Sequence, residues 1–246
     1  MTTERIYAVG DIHGQRGMLE EALARIEADG GAGARVVFLG DYVDRGPDSA
    51  GVIETLSRGA AEGRDWVFLM GNHDRMFRWF MESPPRQDAH LLVGYHWFHD
   101  RIGGRATMAS YGVGVQEGQR LKAIRAEAQP LVPQAHLSFL DDLRLWHREG
   151  GLLFVHAGIR PGVALADQDP EDLVWIRDEF HAHPDPHPWL VVHGHTPVQH
   201  ATHYGNRVNL DTGAGYGDPL TVAVFDGDGV WALTRKGRVA LKPRKV

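Results

Sequence analysis

Apolar residues gather in short runs that end at Val9, Leu39, Met70, Val155 and His193, each followed at once by a glycine or a histidine. Runs of this length closed by turn-forming residues predict strands. Between the first three, Met18, Leu19, Ala22, Leu23 and Ile26 recur at helical spacing, as do Val52, Ile53 and Leu56. The pattern therefore predicts βαβ units. Asp11 to Asp41 is 30 residues and Asp41 to Asn72 is 31, about one such unit each, and right-handed crossovers lay the three strands parallel. Their C-terminal loops then share the sheet edge where open α/β proteins bind ligands.

The rhythm changes over residues 75–148. Phe77, Phe80 and Met81 suggest a helix that Ser83-Pro84-Pro85 stops, and Gly103-Gly104 and Gly112-Val113-Gly114 punctuate the stretch beyond it. Further helices are predicted from Glu117 to Ala128 and from Pro133 toward Trp146, so this region reads as a mostly helical insert in one domain spanning 1–246. Strand runs resume over residues 152–155, 190–193, 208–210, 220–225 and 230–233. Close spacing without helices predicts an antiparallel addition, forming a second sheet packed on the first.

Composition narrows the class. The 246 residues are 43% hydrophobic and 24% charged, and no stretch approaches the ~18 apolar residues of a membrane span. Arg5 directly precedes the first apolar run, which leaves no room for a signal peptide, so the mature chain is expected to begin near Met1. A net charge of −6 gives no footprint for nucleic acid. The basic cluster Arg235, Lys236, Arg238, Lys242, Arg244 and Lys245 reads as a solvated tail. The absence of cysteine excludes disulfides and thiolate ligands and fits a cytoplasmic protein.

The chemistry lies in the blocks that close or succeed the runs: Gly10-Asp11-Ile12-His13-Gly14, Gly40-Asp41-Tyr42-Val43-Asp44-Arg45-Gly46, Gly71-Asn72-His73-Asp74, His156-Ala157-Gly158 and His193-Gly194-His195-Thr196. Asp11 and His13 make a pair of metal ligands, Asp41 offers a carboxylate that can bridge two cations, Asn72 a neutral oxygen, and His156 and His195 imidazole nitrogens. Oxygen and nitrogen donors without sulfur suit manganese first, with iron or zinc as alternatives. Two cations about 3.5–4 Å apart make hydroxide available near neutral pH and bind phosphate oxygens. His73 is placed to protonate the leaving group, with Asp44 to orient it and Arg45 to grip phosphate. The histidines His181, His183 and His187, interleaved with prolines, read as a solvated loop. His193, two residues from His195, is left open between supporting a ligand and packing. Tyr95, Trp97 and Phe98 of the insert are open between a substrate wall and core packing.

In order and content, these five blocks resemble the phosphoprotein phosphatase (PPP) family of metallophosphoesterases. Similar blocks occur in bacterial serine/threonine phosphatases of lambda-phosphatase type and in the related symmetrical diadenosine-tetraphosphate hydrolases. The resemblance implies a calcineurin-like α/β fold, a β-sandwich of mixed parallel and antiparallel sheets flanked by helices. It implies Asp11, His13 and Asp41 on one metal, and Asp41, Asn72, His156 and His195 on the other. His73 and Asp44 take the acid and orienting roles, with Arg45 on phosphate. The later block around Trp175-Ile176-Arg177 offers Arg177 as a second phosphate-binding arginine, and Tyr216 is expected near the site mouth. The activity implied is hydrolysis of phosphoserine or phosphothreonine monoesters in a phosphorylated protein or a small phosphoester, by direct attack of a metal-bridging hydroxide. The alternative is a dinucleoside polyphosphate hydrolase. Two departures bear on that choice: Met70 stands where eukaryotic-type protein phosphatases usually carry arginine, and Asp74 where they usually carry glutamate.

Overall fold

The computed structural model describes residues 5–244; Met1, the expected start, and Lys245 of the basic cluster lie outside the described residues. Strands β1 (Ile6–Val9), β2 (Arg35–Phe38) and β3 (Trp66–Phe68) run parallel, connected by helices α1 (Arg16–Gly30) and α2 (Ser49–Ala61). Asp48 caps α2 by accepting from the Gly51 N–H at 2.8 Å, which supplies one of the acceptors a helix start lacks. From Asn72 the insert supplies α3 (Asn72–Phe80), α4 (Gly104–Ser110), α5 (Leu121–Ala128) and α6 (Gln134–Asp141), separated by irregular stretches.

The last third divides between two sheets. β4 (Trp146–Glu149), β5 (Leu152–Val155), β6 (Leu190–His193), β7 (Thr202–His203) and β8 (Arg207–Asn209) form one sheet in the order β4-β5-β6-β8-β7. Between β5 and β6 lie α7 (Pro170–Trp175) and α8 (Asp178–His181). β9 (Val222–Asp226), β10 (Gly229–Thr234) and β11 (Gly237–Ala240) extend the first sheet to β11-β10-β9-β1-β2-β3. The second sheet was expected to be antiparallel, yet β5, β6 and β8 run parallel at its centre. The antiparallel strands β9 to β11 join the first sheet through β1 instead. The helix expected to reach Trp146 stops at Asp141, and Trp146–Glu149 pairs with β5 as a hairpin across Gly150-Gly151. A Gly-Gly pair between short runs favours such a turn.

Side-chain alternation along each strand explains the layering. Ile6 and Ala8 face the gap between the sheets, where Val37, Leu39, Val67 and Leu69 meet Phe154, Val192 and Val208. Tyr7 and Val9 point the other way, onto Leu19, Ile26, Val52 and Leu56 of the helices. On the outer face of the second sheet, Leu153, Val155 and Val191 pack on Leu173, Ile176 and Phe180. The insert is tied in through Phe77 and Trp97, stacked at 5.5 Å, and Phe80 edge-on to Phe98 at 5.0 Å. Asp11, Asp41, Asn72, His156 and His195 all lie just past C-terminal ends of strands. Among the described residues no helix is long and apolar enough to cross a membrane.

The basic C-terminal stretch is partly built in rather than simply solvated. Arg238 pairs with Asp29 at 2.7 Å and with Asp226 at 3.2 Å, and the Arg244 guanidinium lies 5.5 Å from the Tyr204 ring centroid.

Candidate metal centre

Five non-glycine residues among those described adopt positive φ: His13 (46°), Asp41 (53°), Asp44 (73°), Arg45 (68°) and His195 (66°). All five come from the blocks singled out in the sequence. Such backbone costs on the order of 1–3 kcal/mol per residue and persists only where the surroundings hold it. Here they do: Asp41 O accepts from the Ile12 and His13 N–H groups at 3.0 and 2.8 Å, and His13 O accepts from Gly46 at 3.0 Å. The Asp74 carboxylate gathers a third loop, accepting from the N–H groups of Asp41 (2.7 Å), Tyr42 (2.8 Å) and Gly71 (3.0 Å). Asp74 thus braces backbone around Asp41. Gly194 lies so near Asp11 that a Cβ there would collide with Asp11 Oδ1.

The loops converge on the Asp41 carboxylate. Its Oδ2 lies 3.4 Å from His13 Nε2 and its Oδ1 3.5 Å from His156 Nε2. The other ring nitrogens of these histidines donate to backbone carbonyls, His13 Nδ1 to Val43 O at 2.8 Å and His156 Nδ1 to Leu39 O at 2.9 Å. That fixes the tautomer and turns each Nε2 lone pair toward the centre. His156 Nε2 then faces Asn72 Oδ1 at 3.1 Å, one acceptor opposite another. Burial, followed by Arg45, holds the His13 imidazole well below its ordinary pKa, and burial, then His156, does the same for His195.

On the other side, Asp11 Oδ2 accepts from His195 N–H at 2.9 Å, while its Oδ1 is buried without a partner. Burial, then the carboxylates of Asp211 and Asp41, pushes the Asp11 carboxyl well above its usual range. Asp211, which sequence reasoning did not assign, is itself pushed up to about 6, chiefly by burial. Crowded carboxylates, an orphaned carboxylate oxygen and opposed lone pairs are what divalent cations would relieve, so the donor set fits them. Two trios place one donor atom each within 4.8 Å of one another: His13, Asp41 and His73, and Asp41, His156 and His195. Asn72 belongs with the second, its Oδ1 lying 3.0 Å from His195 Nδ1. Asp11 stands outside both trios, its Oδ2 on the His195 N–H, and His73 lies beside His13 and Asp41. A third trio, Asp88, His90 and Glu171, already holds a cation: Arg75 bonds Asp88 and Glu171 at 2.8 Å.

His73 Nδ1 bonds Asp44 Oδ2 at 2.6 Å. Asp44 is fully buried, and two residues of the insert anchor it, Trp97 Nε1 donating to Oδ2 at 2.8 Å and Thr107 Oγ1 to Oδ1 at 2.6 Å. Trp97 was expected to line a substrate wall or the insert core; Thr107 carried no signal at all. Arg45 Nη2 donates to His73 Nε2 at 3.0 Å, and Arg177 Nε to His195 Nε2 at 3.0 Å. Both arginines therefore reach the centre. Trp175 packs edge-on to His195 with centroids 5.6 Å apart and bonds Asp88 through Nε1 at 3.1 Å. His193 turns away, its Nε2 3.3 Å from Arg207 Nη1. The loop expected to be solvated is so in part: Pro184, Asp185, Pro186 and Pro188 are exposed, while His181 lies beside His193 and His187 stacks on Phe180.

The sequence profile of the calcineurin-like phosphoesterases matches residues 4–227. The chain belongs to the calcineurin-like phosphoesterase family. Its fold is that of the family, and the family is one of metal-dependent phosphoester hydrolases. The asymmetrical bis(5'-nucleosyl)-tetraphosphatase PrpE of Anoxybacillus flavithermus is 30% identical over 212 residues, 77% of this chain and 74% of that protein. The protein of the same name from Bacillus mycoides is 26% identical over 237 residues, 87% of each. These relatives are named as asymmetrical, not as the symmetrical kind to which the sequence was likened. Among solved structures, a candidate diadenosine tetraphosphatase superposes with a TM-score of 0.65 at 23% identity, covering 94% of this chain and 93% of that one. A cold-active protein-tyrosine phosphatase from a Shewanella species shares the fold at a TM-score of 0.61 and 15% identity, covering 98% and 81%.

Proposed function

We propose that this phosphoesterase hydrolyses dinucleoside polyphosphates of the diadenosine tetraphosphate kind, the alternative raised by the sequence, in preference to phosphoserine or phosphothreonine monoesters. The observation that carries the choice is similarity over 77% of the chain to proteins named for that substrate class. Met70 agrees with it: its side chain packs against the hydrophobic core, so no arginine reaches phosphate from that position.

The residues then divide the work. Asp11, His13, Asp41, Asn72, His156 and His195 hold two divalent cations, manganese first by donor type. When bound, the cations supply a water of lowered pKa and positive charge against the phosphate oxygens. Arg45 and Arg177 swing from the imidazoles they bond here onto phosphoryl oxygens, which the planar guanidinium fork matches. His73, held through Nδ1 by Asp44, gives its Nε2 proton to the departing oxygen. That oxygen would belong to a phosphate chain, whose second pKa near ~6 makes it a better leaving group than a serine alkoxide.

The test is turnover of manganese-reconstituted protein on diadenosine tetraphosphate and on a phosphoserine peptide, side by side. The reading predicts kcat/KM at least tenfold higher on the dinucleotide. A preference for the peptide would restore the monoester reading, which the same centre serves.

A further inference from the structure

Arg45 forms one wall of a second cavity of about 330 Å³, next to the centre, whose lining includes Arg101, Arg105, Gly215 and Tyr216. Its volume lies at the lower end of the ~300–1,000 Å³ typical of small-molecule sites. Two contacts fix it to the catalytic loops. Arg45 N–H donates to Gly103 O at 3.3 Å, and Gly215 lies so close that a Cβ there would come within 2.7 Å of His13 and 3.0 Å of the Arg45 side chain. The cavity therefore begins where Arg45 meets phosphate.

Its walls have a distinct chemistry. Tyr216 is 65% exposed, large for an aromatic ring, with the Arg45 guanidinium 4.9 Å from its centroid. Arg101 is exposed and, among the described residues, has no carboxylate within 4.0 Å. Arg105 donates through Nε to Phe98 O at 3.0 Å and through Nη1 to Val115 O at 2.7 Å, which fixes the plane of its guanidinium and leaves Nη2 without a protein partner among the described residues. The one carboxylate in the lining, Asp100, stands 3.9 Å from Arg105 and is turned to solvent.

We propose that this cavity is a nucleotide subsite, in which Tyr216 stacks a nucleobase while Arg101 and Arg105 hold phosphates beyond the one gripped by Arg45. An exposed ring offers a stacking face to any base, and guanidinium forks match successive phosphates of a polyphosphate. A phosphopeptide would use the cations but leave the ring without a flat partner. The inference rests on the dinucleotide reading and adds the residues that distinguish a nucleotide from bare phosphate.

The experiment is calorimetric titration of full-length His73→Asn protein, in manganese, with ATP and with inorganic tripolyphosphate. Expected is binding of ATP about tenfold tighter, a preference abolished by Tyr216→Ala and retained by Tyr216→Phe. Arg101→Ala, at an exposed position that cannot disturb folding, should weaken both ligands about tenfold. Equal affinity for the two ligands before the second substitution, or a preference that survives Tyr216→Ala, overturns the base-stacking wall. Unchanged binding in Arg101→Ala overturns the phosphate assignment. An intact ATP preference in the His73→Asn protein, with no turnover of diadenosine tetraphosphate by the unsubstituted protein, removes the substrate reading alone, whereas loss of the preference with hydrolysis by the unsubstituted protein intact removes this subsite alone.

Discussion

Trp97 and His73 meet on a single oxygen: the indole N–H and the imidazole Nδ1–H both bond Asp44 Oδ2, at 2.8 and 2.6 Å. The insert therefore reaches into the loops that carry the proposed centre, and its tryptophan helps to set the direction in which the His73 ring points. Trp97→Phe keeps the stacking on Phe77 but deletes the N–H. Loss of a supporting bond of this kind typically costs about 10–100-fold, and we expect it in kcat with KM nearly unchanged. Steady-state kinetics on a phosphoserine peptide, whose leaving group needs the proton, check this; a defect confined to KM would show that Trp97 shapes the substrate wall instead.

His73→Asn removes the proton donor and should lower kcat by about 10²–10⁴ on substrates whose leaving group needs a proton. On p-nitrophenyl phosphate and on diadenosine tetraphosphate, whose leaving groups depart as stable anions, the defect should be much smaller than on a phosphoserine peptide, whose alkoxide needs the proton. Equal losses on all three would assign His73 to metal binding, where its position beside His13 and Asp41 also puts it.

The histidine cluster behind the second sheet predicts how acid acts on the fold. Burial, then Arg207, lowers the His181 pKa, and burial, then His183, lowers that of His187. The unfolded chain therefore takes up protons on these groups before the folded one does, so stability present above about pH 6.5 is lost as the pH falls below it. Thermal melts from pH 7 to 5 should show a smaller drop in Tm for His187→Gln than for the parent protein. Parallel slopes would mean the cluster titrates alike in both states.

The convergence of the candidate site's side chains was legible because they sit in short blocks at the ends of apolar runs, where a strand must turn and expose the residues after it. Asp41, Asn72 and His156 are together because β2 and β3 of the first sheet and β5 of the second end on the same side of the sandwich; the βαβ spacing places only the first two. Thr107 and Trp97 were hidden: they reach Asp44 across 63 and 53 residues, and nothing local distinguishes them from core side chains. The parallel pairing of β5, β6 and β8 was missed for a related reason. Their crossovers are built from short helices and loops with weak periodicity, so spacing alone suggested hairpins. Asp74 looked like a marker of substrate class, yet its three bonds from backbone N–H groups show a brace whose shape depends on loops far apart in sequence.

The central claim is that these loops hold two divalent cations on which hydrolysis depends. It is tested most directly by titrating chelator-stripped protein with Mn²⁺, monitoring bound metal and turnover together. The account predicts no activity without metal, recovery complete at two equivalents per chain, and loss of at least one equivalent in Asp41→Asn. Full activity at one equivalent, or turnover in the stripped protein, would contradict it.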